Sequence, residues 1–225
     1  LQLAEESYCP IKVASDFTGD HMANILSALS KMSKGEGAIV QIVISPSDNK
    51  WQKNGEGFVK KIQNNNSDPE KKKIIVSEEK LQAIQKKISK NGFITDIRIV
   101  TSAPDKELAK MHLDNIVGAF DQYSNPGINK FKKVEIKGKK KEEEFMYDVI
   151  YRRPPLESSS ILNVEELAAI YHFPNEDVTI PNINWLLARE LPASNEISSD
   201  IHSKDTIWVG NNVFRGKVKA ICFQR

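Results

Sequence analysis

The sequence predicts an α+β fold, and three observations carry that prediction. Apolar residues switch along the chain between spacing at three and four, which suits helices, and short alternating or β-branched runs, which suit strands. The helical stretches open on capping residues and close on glycine or proline. The strand-like runs are short and fall on either side of helices, so neither an all-helical nor an all-strand reading fits.

The elements follow in order. Ile11 and Val13 alternate as a short first strand. Asp20 offers an N-cap for a helix over 21–33, with Met22, Ile25, Leu26, Leu29 and Met32 on one face. Gly35-Glu-Gly37 breaks that helix. Residues 38–44 (AIVQIVI) are β-branched and continuous, which predicts a buried strand. A weaker helix is expected over 49–63, its apolar positions being Trp51, Phe58, Val59 and Ile62. Residues 64–73 are polar and aperiodic, a loop. Ser77 starts a helix with the stripe Leu81, Ile84, Ile88, closed by Asn91-Gly92. Residues 93–100 alternate as a strand. Pro104 stands at the start of a helix running to Tyr123, and residues 131–136 form a further strand.

Reduced to its order this is β-α-β, a helical insertion at 47–92, then β-α-β, which is the ferredoxin-like, split βαβ arrangement. Residues 137–144 (KGKKKEEE) hold four lysines and three glutamates, nearly neutral together, and read as a solvated hairpin or linker. Pro154-Pro155 and the serines at 158–160 mark a boundary. Beyond it, Asn163 caps a helix over 164–171 with Glu166 at its third position. Residues 206–209 and 213–223 then read as two strands around a turn at Gly210-Asn-Asn212. The expected domains are therefore 1–153, ferredoxin-like α+β with its insertion, and 154–225, a small α/β connector ending in a β-hairpin.

The chain has 225 residues, 32 basic and 30 acidic, a net charge of +2. Whole-chain charge thus decides nothing about a polyanion partner. Cys9 and Cys222 have no metal-like spacing and read as two free thiols of a reducing compartment. No apolar run reaches the ~20 residues of a bilayer span, and no secretory leader is visible. The first residue is Leu rather than Met and the last residues are still strand-like, so both ends are expected to have been cut from a longer polypeptide.

Motifs of catalysis are missing. Gly35-Glu-Gly37 and Gly55-Glu-Gly57 lack the spacing of a phosphate-binding loop. His21, His112, His172 and His202 show no i, i+4 pair, and they read as satisfied or exposed histidines rather than metal ligands. No GxSxG elbow is present, although a triad assembled in space leaves no such trace. Glu78-Glu79 and Glu165-Glu166 stand at helix starts, where the macrodipole accounts for them. No cofactor or metal is expected in this chain. Lys50, Lys53, Lys60 and Lys61 flank Trp51 and Phe58, which is the pattern of a strand-binding surface and equally of an amphipathic helix that buries its aromatics.

An ordered set of stretches carries a resemblance. They are NILSALSK (24–31), Gly35-Glu-Gly37 leading into VQIVI (40–44), Pro46, Trp51, RIV (98–100), LNVEELA (162–168), YHFP (171–174) and VGNNVFRG (209–216). In this order they resemble the region that precedes the motor domain in bacterial conjugation-type ATPases of the HerA and type IV secretion families. The resemblance runs from about Asn24 to the end, and 162–174 and 209–216 are its most specific parts. It implies a DNA- or protein-translocating ATPase as the parent, with ATP and Mg bound only by a motor domain that lies outside this chain. No catalytic residue of those families transfers to any position here.

Three functions are thus expected, the first two of which can hold together. The first is a non-catalytic N-terminal module serving assembly or substrate contact. Its partners would be its own motor domain, further copies through the parent, DNA, and a membrane or secretion channel, and its place the cytoplasm at the inner face of the membrane. The second is a nucleic-acid-binding module using Lys50, Trp51, Lys53, Lys60 and Lys61. The third is an enzyme of unrecognised type, for which a polar site around His112 or His172 would speak.

Overall fold

The structure is a computed structural model that describes residues 1–67, 75–155, 160–173, 191–194, 197, 200 and 204–224. It is a mixed α+β chain. In order it forms β1 (Gln2–Leu3), α1 (Ala23–Leu29), β2 (Gly37–Pro46), α2 (Lys50–Ser67), α3 (Glu78–Ile88), β3 (Gly92–Ser102), α4 (Lys106–Ala119), β4 (Phe131–Lys132), α5 (Lys139–Ile150), β5 (Ser160–Asn163), α6 (Val164–Ile170), β6 (Thr206–Phe214) and β7 (Lys217–Gln224). All described ladders are antiparallel: β1 with β4, β2 with β3 and β3 with β5, and β6 with β7.

The chain divides into two compact units, Leu1–Asn182 and Ile183–Arg225, not at 153/154 as the prolines suggested. The reason is β5. It pairs with β3 from Gly92↔Asn163 to Thr95↔Ser160 and thereby keeps α6 in the first unit.

In that unit β2 and β3 run together for ten residue pairs, Gly37↔Ser102 to Pro46↔Phe93. One face of this ribbon, with Ala38, Val40, Ile42, Ile97 and Ile99, packs on α1, α4 and α6 through Ile25, Ile116, Phe120, Tyr123 and Ile170. The other face is more open, and Ile39 on it is half exposed. The continuous apolar run of β2 is therefore not buried on both sides. The insertion at 47–92 is a pair of helices, α2 and α3, with a small core of its own around Cys9, Val59, Ile62, Leu81 and Ile84.

Ser77 caps α3 as the sequence indicates, and Asp105, the residue after Pro104, caps α4. The helix expected over 21–33 is Ala23–Leu29 with Met22 as its N-cap; Asp20 Oδ1 accepts from Met22 N (2.8 Å) ahead of it. Asn163 and Glu166 form a reciprocal capping box on α6.

Three element bounds are corrected first. Residues 11–13 are not a strand; the first strand is Gln2–Leu3, because Ile11 is spent on a side-chain contact described below. The strand at 131–136 shortens to Phe131–Lys132, and α2 extends to Ser67 through part of the expected loop.

The charge run is not a hairpin but the first turns of α5. Gly138, at φ +99°, sets the entry to that helix. Its far end is captured by the sheet. Buried Arg98 donates from Nη1 to Asp148 O (2.8 Å) and from Nη2 to Arg153 O (3.0 Å), and its cross-strand partner Gln41 donates to Val149 O (3.0 Å). A cation and an amide thus add side-chain donors to the carbonyls at the end of the helix.

In the second unit the hairpin turns at Arg215-Gly216, not at Gly210-Asn-Asn212. Both turn residues have positive φ, +48° and +75°, as a two-residue primed turn requires. Gly210 instead follows an irregularity in the ladder after Trp208.

Of the expected boundary, Ser158 and Ser159 lie outside the described residues.

Candidate functional site

The most concentrated chemistry in the first unit is a buried ionic junction. Lys87, in the last turn of α3, sits on the same apolar stripe as Ile84 and Ile88. Its ammonium lies 3.0 Å from Glu166 Oε2, and both side chains are 0% exposed. Lys87 Nζ also donates to Cys9 O (3.3 Å). Glu166 Oε1 accepts from Ile11 N and Oε2 from Asn163 N, both at 2.9 Å. Asn163 Nδ2 returns to Lys87 O (3.4 Å). Asn129 Nδ2 donates to Cys9 O (2.8 Å). Burial holds the Lys87 ammonium below its ordinary range, and the Glu166 carboxylate pulls the other way.

This junction ties the N-terminal loop, the inserted helix pair and the start of α6 together. Both charges in it are buried and hydrogen-bonded to protein groups. Its role is to fix register among segments far apart in sequence.

A second cluster gathers at the start of α1. His172 Nε2 lies 3.0 Å from Asp20 Oδ1. The His172 ring is 4.2 Å from that of His21, which stacks on Phe17 at 4.8 Å. Tyr123 OH donates to Ala169 O (3.2 Å), and burial pushes its phenol above the ordinary range, with the Asp20 carboxylate adding to the effect. An Asp–His pair of this kind is the core of a general base. Here its free nitrogen leads nowhere: His172 Nδ1 and both His21 nitrogens are closed from solvent and have no hydrogen-bond partner among the described residues. His112 is likewise buried, 3.0 Å from Glu36 Oε2, where it ties the loop before β2 to α4. Among the described residues no group of three or more His, Cys, Asp and Glu is placed to hold a metal ion.

The residues expected to contact nucleic acid do not form one site. Trp51 is 4% exposed, wedged over Gly92 in the seam between α2 and the sheet. Phe58 stacks on Tyr8 at 5.4 Å. Lys50, Lys53, Lys60 and Lys61 are exposed, and Lys50 is paired with Asp48 at 2.9 Å. The helix thus sorts aromatics inward and lysines outward, which removes Trp51 from any stacking role.

The model of one protein family, the domain of unknown function DUF8128, matches residues 1–186. The chain belongs to the DUF8128 family. No curated protein and no solved structure matches it. The DUF8128 match takes in the whole first unit, Leu1–Asn182, and therefore both buried clusters. The hairpin of β6 and β7 lies beyond the matched residues. Among the described residues no helix is long and apolar enough to cross a membrane.

Sequence reasoning found Glu166 as a capping residue and missed its ion pair. The available signal was Lys87 itself, a cation at an apolar position of an otherwise clean stripe. His21 and His172 gave no such signal, because 151 positions separate them and only the packing of α6 on α1 joins them.

Proposed function

We propose that this chain is a non-catalytic module of a conjugation-type, HerA-like or type IV secretion-like translocating ATPase, acting in assembly or substrate contact. The observation that carries the reading is the ordered series of sequence matches from residue 24 to the VGNNVFRG stretch at 209–216. Two features are in keeping with it. The buried Lys87–Glu166 pair is held by hydrogen bonds from three segments of the first unit, as suits a scaffold. The strands β6 and β7 expose Trp208, Val213, Val218 and Phe223, and a lone two-stranded hairpin is marginal in water unless something packs on it. In this reading the motor domain packs there, and the parent works in the cytoplasm at the inner face of the membrane.

The ferredoxin-like arrangement belongs to the same proposal. It is supported by the Leu1 nitrogen, which donates to Ile97 O (2.6 Å) and so brings the β1–β4 pair against β3 of the β2–β3–β5 sheet.

The test is direct. The isolated chain should not hydrolyse ATP, whereas the parent polypeptide should, through a Walker A loop that follows the hairpin. Hydrolysis by the isolated chain that survives repurification, or a parent gene without that loop, would overturn the proposal.

A further inference from the structure

We infer that the C-terminal half of α5, with the turn after it, is a stacking platform for single-stranded nucleic acid. The inference rests on α5 and does not depend on the translocase reading.

Tyr147 and Tyr151 stand one helical turn apart, 45% and 61% exposed, with ring centroids 4.1 Å from each other. The guanidinium of Arg153 lies 4.3 Å from the centroid of the Tyr147 ring. Two tyrosines and an arginine stacked at the surface are costly to leave in water and offer flat faces to a base. Every base has such a face, so recognition of this kind tolerates sequence and requires an unpaired strand.

The platform is held rigidly. The Arg98 and Gln41 contacts described above pin the carbonyls of Asp148, Val149 and Arg153 from inside. Arg153 N donates to Asp148 O (3.1 Å), and Arg152 takes a left-handed backbone, φ +49°, to make the turn. Arg153 Nη1 is fixed on Asp148 Oδ1 (3.3 Å). Side chains preset in this way lose little freedom when a ligand arrives.

Local charge favours a polyanion. Residues 130–153 hold nine basic and five acidic side chains, a net +4 within a chain whose total is +2. Glu142, Glu143 and Glu144 lie in the N-terminal turns beside Lys139, Lys140 and Lys141. At the aromatic end Asp148 is tied to Arg153, and Glu143 and Glu144 stand one turn before Tyr147. Lys140 precedes Tyr147 by two helical turns, about 10 Å along the axis, which places it to meet backbone phosphate a nucleotide or two from a stacked base.

The experiment measures fluorescence anisotropy of a labelled oligothymidine of about 12 nucleotides with the full 225-residue chain at ~50 mM salt. Binding is expected, weaker as salt rises, and weaker for the same length of duplex. Tyr151→Ala should weaken it about tenfold and Tyr151→Phe should not, since the ring and not the hydroxyl does the stacking. Lys139→Glu with Lys140→Glu should weaken it and flatten its salt dependence. These side chains are exposed, and unchanged circular dichroism of each variant verifies the fold. No binding at low salt, equal binding of duplex, or binding indifferent to Tyr147→Ala and Tyr151→Ala would each overturn the inference. The last of these, together with capture of a protein partner lost in the same variants, would reassign the patch to protein contact.

Discussion

Replacing Glu166 with Gln is the sharpest perturbation of the buried junction, because it changes charge and almost nothing else. The carboxylate accepts from Ile11 N on one oxygen and from Asn163 N and Lys87 Nζ on the other. A glutamine amide has one acceptor oxygen, and its NH2 group must then face a donor whichever way it lies. Either Ile11 N or the Asn163–Lys87 side loses its acceptor, and Lys87 keeps a buried charge with only Cys9 O opposite. Removing one partner of a buried pair costs about 3–5 kcal/mol. The orphaned donor alone would cost about 1–3 kcal/mol, but the two overlap within one network and do not simply add. A loss of about 4 kcal/mol is expected, a large share of the roughly 5–15 kcal/mol of an ordinary domain.

Urea unfolding of wild type and Glu166→Gln, followed by circular dichroism with the m-value checked, measures it. The variant should also show a signature in pH. The folded-state pKa of Lys87 lies below its unfolded value, so between the two the unfolded chain binds more protons and stability rises with pH. Without Glu166 the folded value falls further, and this rising limb should begin closer to neutrality. A loss under about 1 kcal/mol, the size of an exposed pair, with an unchanged pH profile would refute the reasoning.

Three further outcomes are expected. Gly92→Ala places a Cβ 2.6 Å from the Trp51 ring and 2.9 Å from Ile161, so it should destabilise by about 1–3 kcal/mol and shift the emission of Trp51, read by denaturant titration in fluorescence. His21→Phe keeps the stack on Phe17 and removes two buried nitrogens that lack partners among the described residues, so a thermal melt should show a gain of about 1 kcal/mol; a loss would reveal a partner for that ring. Cys9 is buried and its thiol is pushed up by that burial, so at mildly alkaline pH a thiol reagent should label it far more slowly in the folded chain than in urea, as peptide mapping would show.

Much of the local structure was legible in the sequence. The stripes Met22–Ile25–Leu29 and Leu81–Ile84–Ile88 gave α1 and α3, and Asn163 with Glu166 gave the capping box of α6. The same residues could not show that Glu166 also binds Lys87, since a capping carboxylate and a buried counter-ion look alike in sequence. Four lysines and three glutamates at 137–144 leave the run nearly neutral, which suggested a solvated hairpin or linker. Only the capture of α5 by Arg98 and Gln41 shows why a helix forms there. Trp51 among lysines fitted both a binding surface and a buried seam, and the gap over Gly92 decided for the seam.

The sequence by itself determined the period of each element, its caps and the absence of the usual catalytic signatures, because these depend on neighbours within a few residues. Tertiary structure decided which charges are buried, where the units divide, and which aromatics face water. Those depend on contacts between segments such as residues 9–11, 87 and 163–166, whose pairing is set by shape and desolvation and leaves no periodic trace.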